Sequence, residues 1–317
     1  MFRRVCYIFL LLQVLVSACK EVVDIPEDNP ESGPVTLTVA TCNVLKPSGR
    51  CAEMSLDQQA VRQALGRSIV NTGADIIGFN ELDQNYLVGG IYSLSSSCKF
   101  TDMTWKIEWP NDIHESGPLT YSYANGFAYN NTKITLEESG YVWLSKGEDT
   151  WYVKPASAYL NSGSPERTCI WARMKHKASN KEFWLFVTHL PTDSQGGAYN
   201  MARVLNRYAA HKAGDAPAIL TGDMNNALGK APYRALISYW QDGNVSSSWG
   251  TLSGSSANYH YTVDVFTRNH PERRIDHIMT RGCTASDYRT IVETFTVDGQ
   301  EWCPSDHLPV VAKVVIE

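Results

Sequence analysis

Six times along this chain a short apolar, strand-like run ends or begins on an acid, an amide or an imidazole. That recurrence constrains the fold more than any other feature. Val35-Thr36-Leu37-Thr38-Val39-Ala40 alternates as a strand does and runs into Thr41-Cys42-Asn43-Val44. The run Asp75 to Phe79 leads into Asn80-Glu81, and Phe183 to Thr188 leads into His189. Ala218 to Thr221 leads into Gly222-Asp223-Met224-Asn225. Arg274-Ile275-Asp276-His277 opens a fifth strand, and Ser305-Asp306-His307 precedes the sixth, Leu308 to Ile316. Burying one such group without a partner costs about 1–3 kcal/mol, so six unrelated burials are uneconomical. One shared polar cleft satisfies all six.

Further strands are expected over Tyr121 to Tyr129, Tyr141 to Leu144 and Thr168 to Met174. Leu56, Ala60, Ala64, Leu65 and Ile69 recur at helical spacing, predicting a helix over Ser55 to Asn71 that ends at Gly73. Two more helices are expected over Asn200 to Ala213 and Pro232 to Trp240. No internal repeat or interdomain linker is visible. Strands dominate with helices between them, which points to one α/β domain, residues 35–317, built as two packed sheets rather than alternating βαβ units. The stretches Tyr86 to Pro118 and Ser246 to Tyr261 lack periodicity and read as loops.

Composition bears on partners. The formal net charge of -5 gives no support to a chain that grips many backbone phosphates, although a local basic cleft is compatible with it. The aromatics Trp105, Trp109, Tyr121 and Tyr123 have few cationic neighbours. At the N-terminus, Arg3 and Arg4 precede an apolar run, Val5 to Val16, too short for a membrane span. The run ends in Val16-Ser17-Ala18-Cys19, which resembles a bacterial lipobox. Residues 1–19 then form a lipoprotein signal peptide, with Cys19 as the lipid anchor. Residues 20–34, acidic and proline-bearing, form a tether. The expected location is the bacterial cell envelope, anchored at the outer membrane, with the protein a monomer. Cys42, Cys51, Cys98, Cys169, Cys283 and Cys303 remain; they are either free buried thiols or disulfides. Cys283 with Cys303 is the first pairing expected and Cys51 with Cys98 the second.

The six segments, in this order, resemble the endonuclease/exonuclease/phosphatase superfamily, with Gly222-Asp223-Met224-Asn225 and Ser305-Asp306-His307-Leu308-Pro309-Val310 the most specific. Glu138-Ser139-Gly140, Trp143-Leu144-Ser145, Arg167-Thr168 and Trp171-Ala172-Arg173 are similar to a bacterial branch of it. The resemblance spans about Val35 to Glu317. It implies a deoxyribonuclease I-like four-layer α/β/β/α sandwich of mainly antiparallel sheets. It further implies that Glu81 binds the metal, with Asn43 beside metal and phosphate and Asp306 as the adjacent carboxylate. His189 would contact the phosphate, Asp223 and Asn225 would orient water and phosphate, and Asp276 would support a catalytic histidine, His307. Tyr129 and Arg167 fall where some members contact substrate; packing is the alternative for both. An ion pair with Arg273 or Arg274 is the alternative for Asp276.

The chemistry makes independent sense of these residue types. A phosphoester transition state gathers negative charge on non-bridging oxygens. Mg²⁺, or Mn²⁺ or Ca²⁺, neutralises such charge while keeping several waters, so one or two carboxylates suffice: Glu81 with Asp306 or Asn43. Imidazolium and amide donors stabilise the same charge. A histidine held by a carboxylate, as His307 would be by Asp276, gains a fixed tautomer and a raised pKa. Its role, base or electrophile, stays open.

Three positions depart from the family pattern. Asn80 stands where Gln is usual, Leu45 where many nucleases carry an acid, and His277 where a tyrosine-like residue is usual on the cleft floor. The expectation is an exported, metal-dependent hydrolase of phosphomonoesters or phosphodiesters. The alternatives are an extracellular nuclease and a catalytically silent surface binding protein of the same fold.

Overall fold

The computed structural model describes residues 33–45, 58–81, 103–106, 125–144, 167–192, 197–243 and 274–317. The expected signal peptide, most of the tether, Cys51, Cys98 and both expected loops lie almost entirely outside them. No helix among the described residues is long and apolar enough to cross a membrane.

Among the described residues, fourteen strands and three helices follow in chain order. They are β1 (Val35–Asn43), α1 (Gln58–Asn71), β2 (Ile76–Asn80), β3 (Met103–Lys106), β4 (Gly126–Asn130), β5 (Ile134–Trp143), β6 (Thr168–His176), β7 (Glu182–His189) and α2 (Ala198–Ala213). Then come β8 (Ala218–Asp223), α3 (Ala231–Ile237), β9 (Gln241–Asp242), β10 (Asp276–Arg281), β11 (Thr284–Thr290), β12 (Phe295–Val297), β13 (Gln300–Trp302) and β14 (Val310–Ile316). One sheet runs β11-β14-β1-β2-β4-β3 and the other β5-β6-β7-β8-β10-β9, with β12-β13 as a separate hairpin. All pairs are antiparallel except β1 with β2 and β7 with β8. Those two parallel pairs are the ones whose connections contain α1 and α2, because a parallel pair needs a crossover.

Strand alternation assigns the layers. Leu37, Val39, Ile76, Leu185, Val187, Ile219 and Ile278 pack together between the sheets. Their chain neighbours face outward. Ala40, Ile77 and Phe79 meet Leu65 and Ile69 of α1, while Phe186, Leu220 and Met279 meet Leu205, Tyr208 and Leu236 of α2 and α3. The order is therefore helix, sheet, sheet, helices, as the resemblance implied. Burial of these apolar rows, at about 25 cal/mol per Å², drives the assembly.

Cys42, Cys169, Cys283 and Cys303 are all buried, and the Cys283 thiol is free, so the expected Cys283–Cys303 disulfide is not formed. Cys283 enters the core between the sheets, its Sγ 3.5 Å from the carbonyl oxygens of Ala218 and Arg281, whereas Cys303 packs against Leu308. The two belong to different clusters. Burial pushes the Cys283 thiol up to about 11, so it stays neutral at ordinary pH.

Candidate active site

The inward-facing row of each central strand is apolar along its length and turns polar at one end. On β1 it reads Leu37, Val39, Thr41, Asn43; on β2, Ile76, Gly78, Asn80; on β7, Phe183, Leu185, Val187, His189; on β8, Ile219, Thr221, Asp223. On β10, which runs the other way, Asp276 comes first and Ile278 follows. The register aligns these ends: Asn43 lies opposite Asn80, His189 opposite Asp223, and Asp223 opposite Asp276. His307 lies three residues before β14, the antiparallel partner of β1, and so arrives at the same end. The cleft thus lies at the carboxyl ends of both parallel pairs.

Asn43, 1% exposed, is the hub. Its Oδ1 accepts from the Leu45 backbone N at 3.1 Å, which fixes the amide orientation. Its Nδ2 then points at Glu81 Oε1 (3.3 Å), Asp223 Oδ2 (3.1 Å) and His307 Nε2 (3.5 Å). Glu81 would continue β2 on the outward face, but its φ of 57° turns the chain and brings the carboxylate into the cleft. Asn225, with φ 53°, is bent likewise; its backbone N donates to Asp223 Oδ1 at 2.8 Å. Asn225 Nδ2 donates to the Leu190 carbonyl (2.8 Å) and lies 2.7 Å from His189 Nε2. His189 Nε2 is also 3.2 Å from Asp223 Oδ2, so its tautomer decides which neighbour it serves.

His307 is 6% exposed, with Nδ1 2.7 Å from Asp276 Oδ2 and Nε2 3.7 Å from Asp223 Oδ2. Burial opposes its charge, but Asp276 and Asp223 outweigh burial and hold its pKa well above the ordinary histidine range. Asp223 shows the converse. Burial would raise its pKa, but His189 and His307 carry it well below the ordinary carboxylate range. Ser305 ties the His307 segment to β1: its Oγ donates to the Asn43 carbonyl at 2.8 Å and accepts from His307 N at 3.1 Å. Asp306 lies at the edge, its Oδ1 4.0 Å from His307 Nε2 and its side chain 20% exposed.

Asn43, Glu81, His189, Asp223, Asn225, Asp276, Asp306 and His307 therefore meet in one place. Tyr129 does not join them. It pairs with Ile76, at the end of β2 remote from Glu81, and packs in the core between the sheets. Arg167 is buried just before β6, at the end of that strand nearer His189. His277 does not form the cleft floor, because one step of strand alternation after Asp276 turns it outward. Its Nδ1 lies 3.3 Å from Asp242 Oδ2, and its ring centroid lies 5.4 Å from that of Tyr233. Arg274 pairs with Asp242 at 2.7 Å, whereas Asp276 engages His307. Leu45 is buried against α1 and the β12-β13 hairpin.

Two donor sets invite a cation. Asp223, Asp276 and His307 offer atoms within 4.8 Å of one another. All three are already committed to hydrogen bonds, and a protonated imidazole has no lone pair to give. Glu81 and Asp306, both partly exposed, carry oxygen donors of the kind a hard divalent cation takes. Asn43 presents its N–H to Glu81 here, so in this arrangement it orients the carboxylate rather than replacing it.

No curated protein matches the sequence. Among solved structures, an endonuclease/exonuclease/phosphatase family protein from Bacteroides thetaiotaomicron superposes with a TM-score of 0.73 at 22% identity, covering 90% of this chain and 99% of that one. A mannosyl-6-phosphatase from the same organism gives 0.72 at 22% identity, covering 88% and 100%. TDP2 from D. rerio, complexed with a single-strand DNA product, gives 0.59 at 16% identity, covering 88% and 98%. These similarities establish the fold. The sequence match to the Endonuclease/Exonuclease/phosphatase family runs from residue 40 to residue 307, from the end of β1 through His307, and the chain belongs to that family.

Proposed function

We propose that the chain is an exported, divalent-cation-dependent phosphoesterase, hydrolysing a phosphomonoester or phosphodiester by in-line attack of water. The observation that carries this reading is the convergence of Asn43 Nδ2 on Glu81, Asp223 and His307 at 3.1–3.5 Å, drawn from four separate segments. A cation held by Glu81 and Asp306 would neutralise charge on the non-bridging oxygens. Asp223, whose pKa is depressed, is a weak base, so it accepts a hydrogen bond from the attacking water and orients it. His307, protonated and braced by Asp276, donates to a phosphoryl oxygen; this favours the electrophile role over the base role. His189 and Asn225 line the other side of Asp223, where the Asn225 backbone N donates to Asp223 Oδ1.

The test is a panel with Mg²⁺, Mn²⁺ or EDTA: a hexose 6-phosphate, p-nitrophenyl phosphate, bis(p-nitrophenyl) phosphate, sphingomyelin and plasmid DNA. The hexose phosphate is included because one structural neighbour is a mannosyl-6-phosphatase. At least one ester is hydrolysed, EDTA abolishes turnover and Mg²⁺ restores it. Glu81→Gln lowers kcat by at least about 100-fold at saturating substrate, in line with losing a positioned electrostatic contact. Full activity in EDTA overturns the cation assignment, and DNA as the sole substrate selects the nuclease reading. Lipid anchoring at Cys19 is the matching proposal for location. Labelled palmitate enters the wild type and not Cys19→Ala.

A further inference from the structure

Behind the catalytic groups a second polar cluster, made only of neutral side chains, crosses from one sheet to the other. Asn80 projects from β2 toward the opposite sheet and is fully buried. Its Oδ1 accepts from the backbone N of Asp223 on β8 at 2.8 Å. Its Nδ2 donates to the Thr188 carbonyl on β7 at 2.9 Å and to Asn125 Oδ1 at 2.8 Å. Asn125, 2% exposed, precedes β4; its Nδ2 donates to the Thr168 carbonyl on β6 at 2.9 Å. The Thr168 carbonyl also accepts from Thr188 Oγ1 at 3.0 Å. Two amides from one sheet thus engage three adjacent strands of the other.

The location gives this cluster a consequence beyond stability. Asn80 is bonded covalently to Glu81 and by hydrogen bond to Asp223, the two carboxylates that face each other across the cleft from different sheets. Most of the remaining contact between the sheets is apolar, which is non-directional and lets layers slide. Further cross-sheet hydrogen bonds run from Asn43 Nδ2 to Asp223 Oδ2 at 3.1 Å and from Tyr288 Oη to the Asp276 carbonyl at 3.0 Å. The amide contacts are directional and fully enclosed. Asn suits the spacing here: immediately beneath it the sheets approach so closely that a Cβ on Gly78 would fall on Thr221 Oγ1.

We infer that Asn80 and Asn125 form a positioning clamp that sets the distance between Glu81 and Asp223, and so tunes cation affinity and kcat without touching substrate. The inference rests on the function proposed above, and its test separates the two. Bis(p-nitrophenyl) phosphate or p-nitrophenyl phosphate turnover, Mg²⁺ affinity by calorimetry, and hydrogen exchange of the peptide spanning residues 218–226 are measured together. The proteins compared are wild type, Asn80→Ala, Asn125→Ala and Ile77→Ala. Ile77 faces α1 on the same strand, so Ile77→Ala weakens the fold without touching the clamp.

Asn80→Ala lowers kcat about 100-fold, the scale for misplacing catalytic groups by about 1 Å, with KM nearly unchanged. It weakens Mg²⁺ binding about 10-fold, as losing an outer-shell partner does, and exposes the Asp223 amide to exchange. Asn125→Ala, which keeps the Asn80–Asp223 bond, produces a smaller change in the same directions and carries the test if Asn80→Ala does not fold. Ile77→Ala lowers the melting temperature but leaves Mg²⁺ affinity and the Asp223 amide unaltered. Clamp variants indistinguishable from Ile77→Ala in affinity, exchange and kcat overturn the inference. Wild type that binds no Mg²⁺ and turns over no ester of the panel above overturns the functional reading instead, and hydrogen exchange at Asp223 still decides whether the clamp holds that strand.

Discussion

His307 carries its charge because of the residues that face it. An enclosed imidazole would ordinarily stay neutral, but a carboxylate at 2.7 Å on Nδ1 and another at 3.7 Å from Nε2 make the protonated form the stable one. Asp276 stands nearest and is the stronger influence. Replacing it with Asn removes a negative charge and lowers the His307 pKa. Protonated His307 is then lost at a lower pH, so the alkaline limb of the kcat profile moves toward neutrality. At neutral pH, Asp276→Asn lowers kcat about 100-fold or more, the usual scale for losing a positioned donor to the transition-state charge. Profiles of wild type and variant, taken at saturating substrate, check this. Superimposable alkaline limbs would show that His307 is not the titrating group.

At the scale of strands, the site was legible because alternation is strict. Once Leu37, Val39 and Thr41 face inward, Asn43 must follow, and the same parity places Asn80, His189 and Asp223. Parity also turns His277 away from the cleft, which fits a structural histidine, although the resemblance implies a tyrosine-like residue on the floor at that position. What stayed hidden has physical causes. The first half of β5 passes from buried Ile134 to exposed Glu137 and Glu138, with a bulge between Leu136 and Glu138, and has no clean period. Strand β9 has two residues, and the β12-β13 hairpin has three in each strand, too short to show alternation. Asn125 looked like an interior residue of a strand beginning at Tyr121, and its partners Asn80 and Thr168 are 45 and 43 residues away. Gly222 is the element-scale test. It sits between the inward-facing Thr221 and Asp223 at φ 147°, and a Cβ there would fall on the Thr188 carbonyl oxygen. Gly222→Ala therefore breaks the pairing of β7 with β8 just below the cleft. It destabilises the fold by about 3 kcal/mol, measured by urea unfolding, well beyond a strain-free Gly→Ala change.

Across the whole molecule, the same buried charges that shape the cleft make stability depend on pH in two opposed ways. Asp223 has its pKa lowered on folding from an ordinary 3.8, so the unfolded chain binds the extra proton in acid. Its contribution is full above that value and fades as pH falls through the depressed folded value. His307 has its pKa raised from an ordinary 6.5, so the folded chain holds the extra proton. Its contribution is full below 6.5 and fades as pH rises through the elevated folded value. Both contributions are complete only between 3.8 and 6.5. The metal-free protein should therefore unfold at a higher urea concentration at pH 5.5 than at pH 8.5. His307→Gln, which cannot hold the extra proton, should lose part of that difference. Urea titrations of both proteins in EDTA at the two pH values measure it. An equal drop in wild type and His307→Gln would assign the alkaline loss to other groups, the buried thiols of Cys169 and Cys283 first among them, since burial raises both and unfolding lets them ionise.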